Sequence, residues 1–316
     1  MRTHRTAVLG GSGFIGRYIV KRLAARGDVV PVGCRNAEEA KFLKPMGDVG
    51  QVEPLNVAID DETVLPAFVA GSDALINCVG ILQERGAQTF ERVHHTGPAL
   101  LARIARDAGV ERFVHLSAIG ADPRSASAYA RTKAAGEAAV RDAFPTATIL
   151  RPSVVFGPED QFFNRFAAIA IMSPVLPLIG GGDTRFQPVY VGDVADAVIK
   201  CLEDRTTAGR TYELGGLKIY TLRELLELLL HEIRRQRWFI NLPFELAEFQ
   251  AKLMAILPNP PITPDQVELL KGDNVVSPGA LTLATLGIAP TAVEAILPTY
   301  LDRFRRGGWY RGPAST

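Results

Sequence analysis

Three glycines, at positions 10, 13 and 16, follow a short apolar run near the start of the chain and lead into a helix-like segment. This order predicts a strand, a tight turn and a helix start. The first glycine permits the turn, the second lets backbone approach a pyrophosphate, and the third brings helix against strand. An ordinary glycine-rich turn is the alternative. The candidate dinucleotide-binding residues of this motif are Gly10, Gly13, Phe14, Ile15 and Gly16.

Segments with strand character alternate with segments with helix character over most of the chain up to residue 214. Such alternation predicts βαβ units and a parallel sheet with both faces covered. We therefore predict an α/β fold: a Rossmann-type doubly wound parallel sheet with a smaller, mostly helical C-terminal lobe. Predicted helices include 14–26, 37–44, 60–68, 96–108 and 129–143, and predicted strands include 29–32, 52–57, 74–80, 113–117, 148–150 and 211–214.

The amino-acid composition of the chain changes after Gly157, where prolines and glycines become frequent. We place a dinucleotide-binding domain at residues 1–157 and a smaller helical lobe at 158–316. Residues 190–214 contain a helix pattern and a strand pattern. We expect this segment to return to the first domain.

The composition excludes several classes of protein. The formal net charge of +1 lacks the basic excess of nucleic-acid binding. Cys34, Cys78 and Cys201 are far apart and predict reduced thiols, and we predict no metal site. The longest apolar stretch, 166–182, is broken by prolines, and the N-terminus has no apolar signal region. We expect a soluble, intracellular and non-secreted protein without a transmembrane helix.

The segment after the second predicted strand bears on the choice of dinucleotide. A carboxylate about 20 positions beyond the glycines binds the ribose 2′-hydroxyl and favours NAD, but residues 33–36 contain Arg35 and no carboxylate. A guanidinium pairs well with a 2′-phosphate, so we predict NADPH or NADP⁺ as the cofactor. Arg17, directly after the last glycine, is a second candidate phosphate ligand. The alternative for both arginines is an ordinary solvated side chain.

Tyr129 and Lys133 stand four residues apart on a predicted helix, so they share one face. A nearby ammonium favours ionisation of a phenol and can also hold ribose hydroxyls, which makes the pair a candidate acid/base relay. A surface helix pair is the alternative. The position of the pair after the fifth strand of a glycine-first α/β domain favours the relay.

Together these motifs resemble the short-chain dehydrogenase/reductase superfamily, in its extended or atypical, epimerase-like branch. The resemblance covers about the first 215 residues. It adds Asn77, Gly80, Arg151 and Pro152 to the candidate cofactor contacts. The residues that carry it are the three glycines, Asn77 with Gly80, Tyr129 with Lys133, and the stretches 151–158 and 188–195.

One position departs from the active relatives of that branch. In many of them a Ser or Thr near the end of the fifth strand helps to polarise the substrate carbonyl. Here Ala118 stands at that position, and Ser117 lies one residue early. Successive strand residues point to opposite faces, so this offset matters. We therefore expect Tyr129 and Lys133 to contact ribose and nicotinamide rather than to form a catalytic pair, with Ser117 as a weaker replacement hydroxyl.

A closer resemblance, over almost the whole chain, is to the short-chain-dehydrogenase-like accessory subunits of respiratory complex I (NADH:ubiquinone oxidoreductase), in a bacterial form. It implies tightly held NADP(H) without turnover. It also implies docking onto other complex I subunits where the peripheral and membrane arms meet, near the quinone site and on the cytoplasmic face of the inner membrane. The matching stretches are 13–18, 44–51, 136–145, 187–191 and 261–268.

The C-terminal lobe carries a candidate docking surface. The basic and aromatic cluster 234–239 precedes 243–257, a strongly apolar predicted helix. Arginine and tryptophan at one end of such a helix suit a protein interface or lipid headgroups. A helix packed on its own sheet is the alternative, and the resemblance favours docking. A further candidate contact is the aromatic pair at 309–310, which follows the arginines at 305–306. The alternative is a chain tail that makes no contact.

Two functions of different classes follow from these patterns. The first is a non-catalytic accessory subunit of complex I that binds NADP(H) as a structural ligand. The second is an active NADP-dependent epimerase or reductase in which Tyr129 is the acid/base and Lys133 supports it.

Overall fold

The structure, a computed structural model, describes residues 4–254, 260 and 262–305. Its strands, in chain order, are β1 (Thr6–Leu9), β2 (Val30–Cys34), β3 (Val52–Asn56), β4 (Ala74–Asn77), β5 (Arg112–Leu116), β6 (Thr148–Pro152), β7 (Val155–Phe156), β8 (Val175–Ile179), β9 (Arg185–Phe186), β10 (Val189–Tyr190), β11 (Thr211–Leu214), β12 (Tyr220–Thr221) and β13 (Trp238–Leu242). A seven-stranded sheet has the order β11-β6-β5-β4-β1-β2-β3, and all its neighbouring pairs are parallel. The predicted Rossmann-type sheet is confirmed.

The α-helices, in chain order, are α1 (Phe14–Arg26), α2 (Leu65–Val69), α3 (Gly97–Asp107), α4 (Ala128–Ala143), α5 (Phe163–Met172), α6 (Val191–Glu203), α7 (Leu222–Glu232), α8 (Phe244–Met254), α9 (Pro264–Leu269) and α10 (Val293–Leu301). Helix α1 has its predicted bounds, and Gly27 closes it with a φ of 90°. The helix predicted at 37–44 is a 3₁₀ helix, Glu39–Met46, and the one at 60–68 shortens to α2. A π-helical turn, Glu91–Thr96, precedes α3.

Helices cover both faces of the sheet. Ala7 and Leu9 of β1 enter a hydrophobic cluster with side chains of α2, α3 and α4. On the opposite face, Arg22 of α1 donates to Asp196 of α6 at 2.5 Å, which places these two helices side by side. A strand that is buried on both faces needs apolar side chains at every position, and this explains the continuous apolar run of β1.

The chain divides into two compact units. The first contains the chain through Pro152, Gly192–Leu214 and Gly279–Ile288, and the second contains Ser153–Val191, Gly215–Pro278 and the chain from Ala289. The first continuous segment of the first unit ends at Pro152, five residues before the predicted boundary at 157, and Gly192–Leu214 belongs to the same unit. The return of 279–288 was not predicted. Leu281 holds this segment in place, since its carbonyl accepts a hydrogen bond from the N–H of Glu213 in β11 at 2.8 Å.

The second unit is less purely helical than predicted. Besides α5, α7, α8, α9 and α10 it contains three two-stranded sheets, which pair β7 with β10, β9 with β12, and β8 with β13. Four of these strands have only two residues, too few to produce a readable periodicity. Its core includes the buried hydroxyl of Tyr300, which donates to Asp160 at 2.5 Å.

Some predictions concern residues that the structure does not describe. These residues are 1–3, 255–257, 261, 306 and 309–310. The predicted docking helix is described as α8, up to Met254. Within the described ranges, no helix combines the length and apolar character that crossing a membrane requires.

Gly16 provides a test of the contact between α1 and the preceding turn. A Cβ at this position would lie 2.4 Å from the carbonyl oxygen of Gly10 and 2.6 Å from the Cα of Gly11, both backbone atoms. We expect Gly16→Ala to lower the free energy of unfolding by roughly 1–3 kcal/mol, because this overpacking exceeds the helix propensity gained. Denaturant unfolding measures the change. Gly272→Ala is the control, since no atom lies within 4 Å of its added Cβ. Equal effects of the two changes would contradict the prediction.

Candidate functional site

The glycine turn between β1 and α1 leaves room for a ligand beside the backbone. Gly10 has a φ of +82°, in the left-handed region that favours glycine. Gly13 is the N-cap of α1, and no described side chain caps this end of the helix. The first-turn residues Phe14 and Ile15 are partly exposed there. Uncapped N–H groups at the positive end of a helix dipole form a site for an anion such as a pyrophosphate.

A cavity of about 290 Å³ lies at the carboxyl ends of β1, β2, β3 and β4. Between β1 and β4 the strand order reverses, and in open α/β sheets ligands bind in the crevice at this point. Four of the predicted cofactor residues line the cavity, namely Gly10, Gly13, Arg35 and Gly80. Further lining residues are Ser12, Val57, Ala58, Ile59, Asp60, Cys78, Gln88 and Arg92. The cavity lies beside the glycine turn, where the sequence predicts a dinucleotide.

The two predicted arginines take different positions. Arg35 is exposed where it lines the cavity, and its Nη1 donates to Oε1 of Gln88 at 2.7 Å. The guanidinium of Arg17 donates to backbone carbonyls of the glycine turn and lies 4.8 Å from the centroid of the Phe42 ring. Of the two, only Arg35 is among the described residues that line the cavity. Arg17 ties the turn to its own helix, and its predicted contact with a phosphate stays a prediction.

Asn77, at the end of β4, is fully buried. Its Nδ2 lies 3.1 Å from Nδ1 of His115, and its Oδ1 accepts a hydrogen bond from the N–H of Val79 at 3.0 Å. The second bond fixes the start of the loop 78–81, which lines the cavity. Asn77 therefore positions the wall of the site, and its predicted direct cofactor contact stays a prediction.

Tyr129 and Lys133 share one face of α4. The Nζ atom of Lys133 lies 6.0 Å from the centroid of the Tyr129 ring and donates to the carbonyl of Leu116 at 3.3 Å. A Cβ on Gly80 would lie 3.3 Å from the same Nζ atom. Lys133 therefore reaches the loop that lines the cavity, and the missing side chain at Gly80 leaves space for a ligand beside it.

Burial lowers the pKa of the Lys133 ammonium from 10.5 to about 8, although the nearby carboxylate of Glu137 favours the charged form. An ammonium with such a pKa still donates hydrogen bonds at neutral pH and also releases a proton readily. The arrangement suits contacts to ribose hydroxyls and to the phenol of Tyr129.

An aromatic cluster holds the Tyr129 ring. His94, in the π-helical turn before α3, stacks on Phe90 with ring centroids 5.3 Å apart. Both rings meet Tyr129 edge-on, with centroid distances of 5.1 Å from His94 and 5.9 Å from Phe90. Contacts of this geometry orient a ring and stabilise it beyond its area burial. They fix the orientation of the ring of Tyr129, the residue that the sequence predicted as an acid/base.

His94 also joins the cavity wall to α4. Its Nε2 accepts a hydrogen bond from the N–H of Ile81 at 3.1 Å, so Nδ1 carries the proton and donates to Oγ1 of Thr132 at 3.3 Å. Burial, together with the positive charge of Lys133, lowers the pKa of His94 to about 2. The ring is therefore neutral at physiological pH, and its role is to position other groups.

Two buried polar atoms behind the site have no hydrogen-bond partner among the described residues. They are Oγ of Ser117 and Nε2 of His115. The two residues are two positions apart along β5 and its extension, so they lie on one face of the sheet. Buried polar atoms normally meet a ligand or an ordered water. Neither residue is among the described residues that line the cavity, and Ala118 offers no hydroxyl.

Arg151 is not among the described residues that line the cavity, and its predicted cofactor contact stays a prediction. Its guanidinium donates to both carboxylate oxygens of Glu137, at 2.9 and 2.7 Å, and lies 3.4 Å from Glu213. These ion pairs connect β6 to α4 and β11. Pro152 is buried at the end of β6, where its carbonyl accepts a hydrogen bond from Ile119 at 3.0 Å. Both residues support the sheet behind the site.

Comparison with known proteins identifies the family. Its profile, described as the NAD dependent epimerase/dehydratase family, matches residues 6–215. The chain belongs to the NAD-dependent epimerase/dehydratase family. The matched range contains every candidate site residue, from the glycine turn to Pro152.

Two curated members of the family are similar over nearly the whole chain. Subunit 9 of the NADH dehydrogenase (ubiquinone) 1 alpha subcomplex of Arabidopsis thaliana is 38% identical over 313 residues, which cover 95% of this chain and 78% of that protein. The 40 kDa subunit of NADH-ubiquinone oxidoreductase of Neurospora crassa is 33% identical over 314 residues, which cover 99% and 83%. The chain is thus a homologue of complex I accessory subunits.

A solved structure supports the fold assignment. The dTDP-glucose 4,6-dehydratase of Streptomyces venezuelae, whose structure holds NAD and TYD, superposes with a TM-score of 0.73. The match covers 97% of this chain and 99% of that one at 22% identity. At this identity the likeness establishes the epimerase-like fold alone.

Sequence reasoning missed several residues that build the site. They are Phe90, His94, His115, Thr132 and Glu137, whose types and spacing form no motif. One signal was available in Gly136, which stands inside a helix. Its φ is not positive, so the backbone conformation does not explain why a glycine stands there. A Cβ there would lie 1.8 Å from the carbonyl oxygen of His94, so this glycine marks the approach of α4 to the π-helical turn. The described residues contain no cluster of three or more metal-ligating side chains.

The burial of the Lys133 ammonium predicts how the free energy of unfolding depends on pH. Because its folded-state pKa is about 8 against an ordinary 10.5, the unfolded chain binds more protons between these two values. The free energy of unfolding should therefore rise with pH in this window by roughly 3 kcal/mol from this group alone. Lys133→Met should remove that rise and increase stability at pH 7, as followed by denaturant unfolding at several pH values.

The control for this prediction is Lys41→Met, which removes an exposed lysine paired with Glu38. We expect its effect to stay within about 0.5 kcal/mol and to leave the pH profile unchanged. If Lys133→Met instead lowered stability at pH 7 and kept the wild-type pH profile, the burial cost assigned to Lys133 would be refuted.

Proposed function

We propose that this chain is an accessory subunit of respiratory complex I that holds NADP(H) as a structural ligand without turning it over. The observation that carries the proposal is its similarity to two complex I subunits over 95% and 99% of its length. In this proposal the subunit is peripheral, on the cytoplasmic face of the inner membrane. It stabilises the junction of the peripheral and membrane arms near the quinone site.

The choice of NADP(H) is supported by the end of β2. Arg35 lines the cavity there, and the segment 33–36 contains no carboxylate that would bind a ribose 2′-hydroxyl. In this arrangement Arg35 binds the 2′-phosphate, and the uncapped first turn of α1 holds the pyrophosphate. When bound, the nicotinamide supplies a hydride donor or acceptor. Tyr129 and Lys133 hold its ribose.

The absence of turnover is supported by the end of β5. Ala118 cannot donate the hydrogen bond that polarises a substrate carbonyl, and Ser117 stands on the neighbouring position with its Oγ buried. Loss of one preorganised donor of this kind typically costs a factor of roughly 10² to 10³ in rate. We propose that Tyr129 and Lys133 are retained here as ligand contacts.

Docking is supported by the outer face of α8, in the second unit. Leu246, Phe249 and Leu253 are 46%, 65% and 65% exposed, while Ala247 and Ala251 are buried on the opposite side of the helix. A helix that points an apolar ridge away from its own core exposes surface that a partner normally covers. We propose this ridge as the contact with other complex I subunits.

The strand before α8 also exposes apolar side chains. Trp238 and Ile240 of β13 are 75% and 55% exposed. Arg235 and Arg237, which the sequence assigned to docking, donate to backbone carbonyls of their own unit. Their predicted role is therefore partly structural, and the aromatic and aliphatic side chains are the proposed contacts here.

An active NADP-dependent epimerase or reductase is the second candidate. It is favoured by the placement of Tyr129 and Lys133 on one helix face beside the cavity. In that case the protein alone would exchange its cofactor and oxidise NADPH with a substrate, and Tyr129→Phe would abolish the activity. Under the accessory-subunit proposal, Tyr129→Phe changes nucleotide retention and leaves no activity to lose.

Purification of complex I from native membranes tests the proposed function. We expect the chain to remain with the complex, to carry nearly one NADP(H) per copy, and to show no hydride exchange with added substrate carbonyls. Nucleotide content is measured by release and chromatography. Recovery of the chain only as a free cytosolic species that turns over NADPH would refute the proposal.

Two matched variants of α8 separate docking from folding. Phe249→Asp places a charge on the apolar ridge and should remove the chain from purified complex I while its nucleotide and its thermal unfolding stay unchanged. Lys252→Asp is the control, because it changes an exposed polar side chain of the same helix. It should leave assembly intact.

Arg35 provides the test of cofactor choice. Arg35→Ala should weaken NADPH binding roughly 10- to 100-fold, since hydrogen bonds to charged groups are strong, and should hardly affect NADH. Titration calorimetry with both nucleotides measures the two affinities. Lys41→Ala, which removes a cation that does not line the cavity, serves as the control. An equal loss of affinity for both nucleotides would refute the NADP(H) assignment.

A further inference from the structure

We propose that Gln88 is a specificity-determining residue that holds the Arg35 guanidinium toward the 2′-phosphate of NADP(H). This inference rests on the NADP(H) binding proposed above. It gives a role to a residue that belongs to no sequence motif. Gln88 lines the cavity together with Arg35, and its Oε1 accepts a hydrogen bond from Nη1 of Arg35 at 2.7 Å. The bond joins two sides of the cavity where the ribose phosphate would lie.

The backbone around Gln88 is fixed by a closed turn. The N–H of Arg85 donates to the carbonyl of Gln88 at 3.0 Å, and the N–H of Gln88 donates back to the carbonyl of Arg85 at 2.9 Å. Gly86, inside the turn, has a φ of +54°, which favours glycine. Glu84 adds a further tie, since its Oε1 accepts a hydrogen bond from the N–H of Phe90 at 2.7 Å. Gln88 therefore presents its amide from a defined position.

A second connection anchors the same segment, residues 84–92, to the sheet. Arg92 donates through Nη1 to the carbonyl of Ala87 at 2.9 Å, and its Nη2 pairs with Asp60, which follows β3. Asp60 and Arg92 both line the cavity. The segment is thus tied to the carboxyl ends of β2 and β3 at two points, one of which is the bond from Arg35 to Gln88.

The chemistry of this bond suits recognition of a phosphate. A guanidinium has five N–H donors, so the bond to Gln88 leaves donors on the other nitrogens for phosphate oxygens. An exposed arginine without such a partner loses rotamer entropy when it binds. Gln88 pre-orients Arg35 and adds no negative charge near the phosphate.

The test measures affinities for NADPH and NADH with Gln88→Ala, Gln88→Glu, Arg35→Ala and the double variant of Gln88→Ala with Arg35→Ala. Gln88→Ala should weaken NADPH about 3- to 10-fold, the range of one hydrogen bond. Gln88→Glu should weaken NADPH about tenfold or more, since its carboxylate pairs with Arg35 and repels the phosphate. NADH affinity should stay nearly constant in both. In the double variant, Gln88→Ala should add no further loss to that of Arg35→Ala.

Gln161→Glu is the matched control, because it makes the same charge change at an exposed glutamine of the second unit. It should alter neither affinity, and thermal unfolding without nucleotide verifies that all variants fold. If the wild type prefers NADPH and Arg35→Ala abolishes the preference while both Gln88 variants keep it, this inference is overturned and the proposed function stands. An additive loss in the double variant also overturns it. Equal wild-type affinities for the two nucleotides would instead overturn the NADP(H) assignment itself.

Discussion

The architecture depends on one close approach of backbone to backbone, where α1 begins directly over the turn that ends β1. A side chain at Gly16 would overlap the carbonyl of Gly10 and the Cα of Gly11, so the helix can begin there only because that side chain is absent. This contact brings the uncapped N-terminus of α1 to the point where the strand order reverses. The parallel sheet then directs the ends of β2, β3 and β4 to the same edge, and together they form the cavity.

A second constraint acts at the other end of the site, where Lys133 is buried. Burial of its ammonium lowers its pKa and opposes folding, while its bond to the Leu116 carbonyl offsets part of that cost. A ligand that binds only the folded state stabilises that state by mass action. A chain that carries such a cost at its binding site gains from a tightly held nucleotide. The physical chemistry is therefore compatible with a cofactor that serves as part of the scaffold.

The fold and the chemistry carry different information about function. Enzymes and complex I subunits share this fold, so function has to be argued from the site and the surface. The site keeps the tyrosine and lysine of the extended short-chain dehydrogenases and has alanine at position 118. In the second unit, α8 and β13 expose large apolar side chains such as Phe249 and Trp238. A ligand site together with an exposed apolar surface is what the proposed accessory subunit requires.

The sequence by itself determined the sheet, the glycine turn, the bounds of α1 and the position of Arg35. Each of these depends on local periodicity or on glycines, which particular backbone conformations require. It also suggested the family, since the glycines and the Tyr129–Lys133 spacing are local patterns. Only the tertiary structure decided which side chains meet across the chain. It assigned Arg151 to Glu137 and Glu213, and it joined Asn77 to His115. It also placed His94 and Gln88 beside the cavity. Such pairings join residues far apart in sequence, and parallel strands with crossover helices set their distances, so no local pattern encodes them.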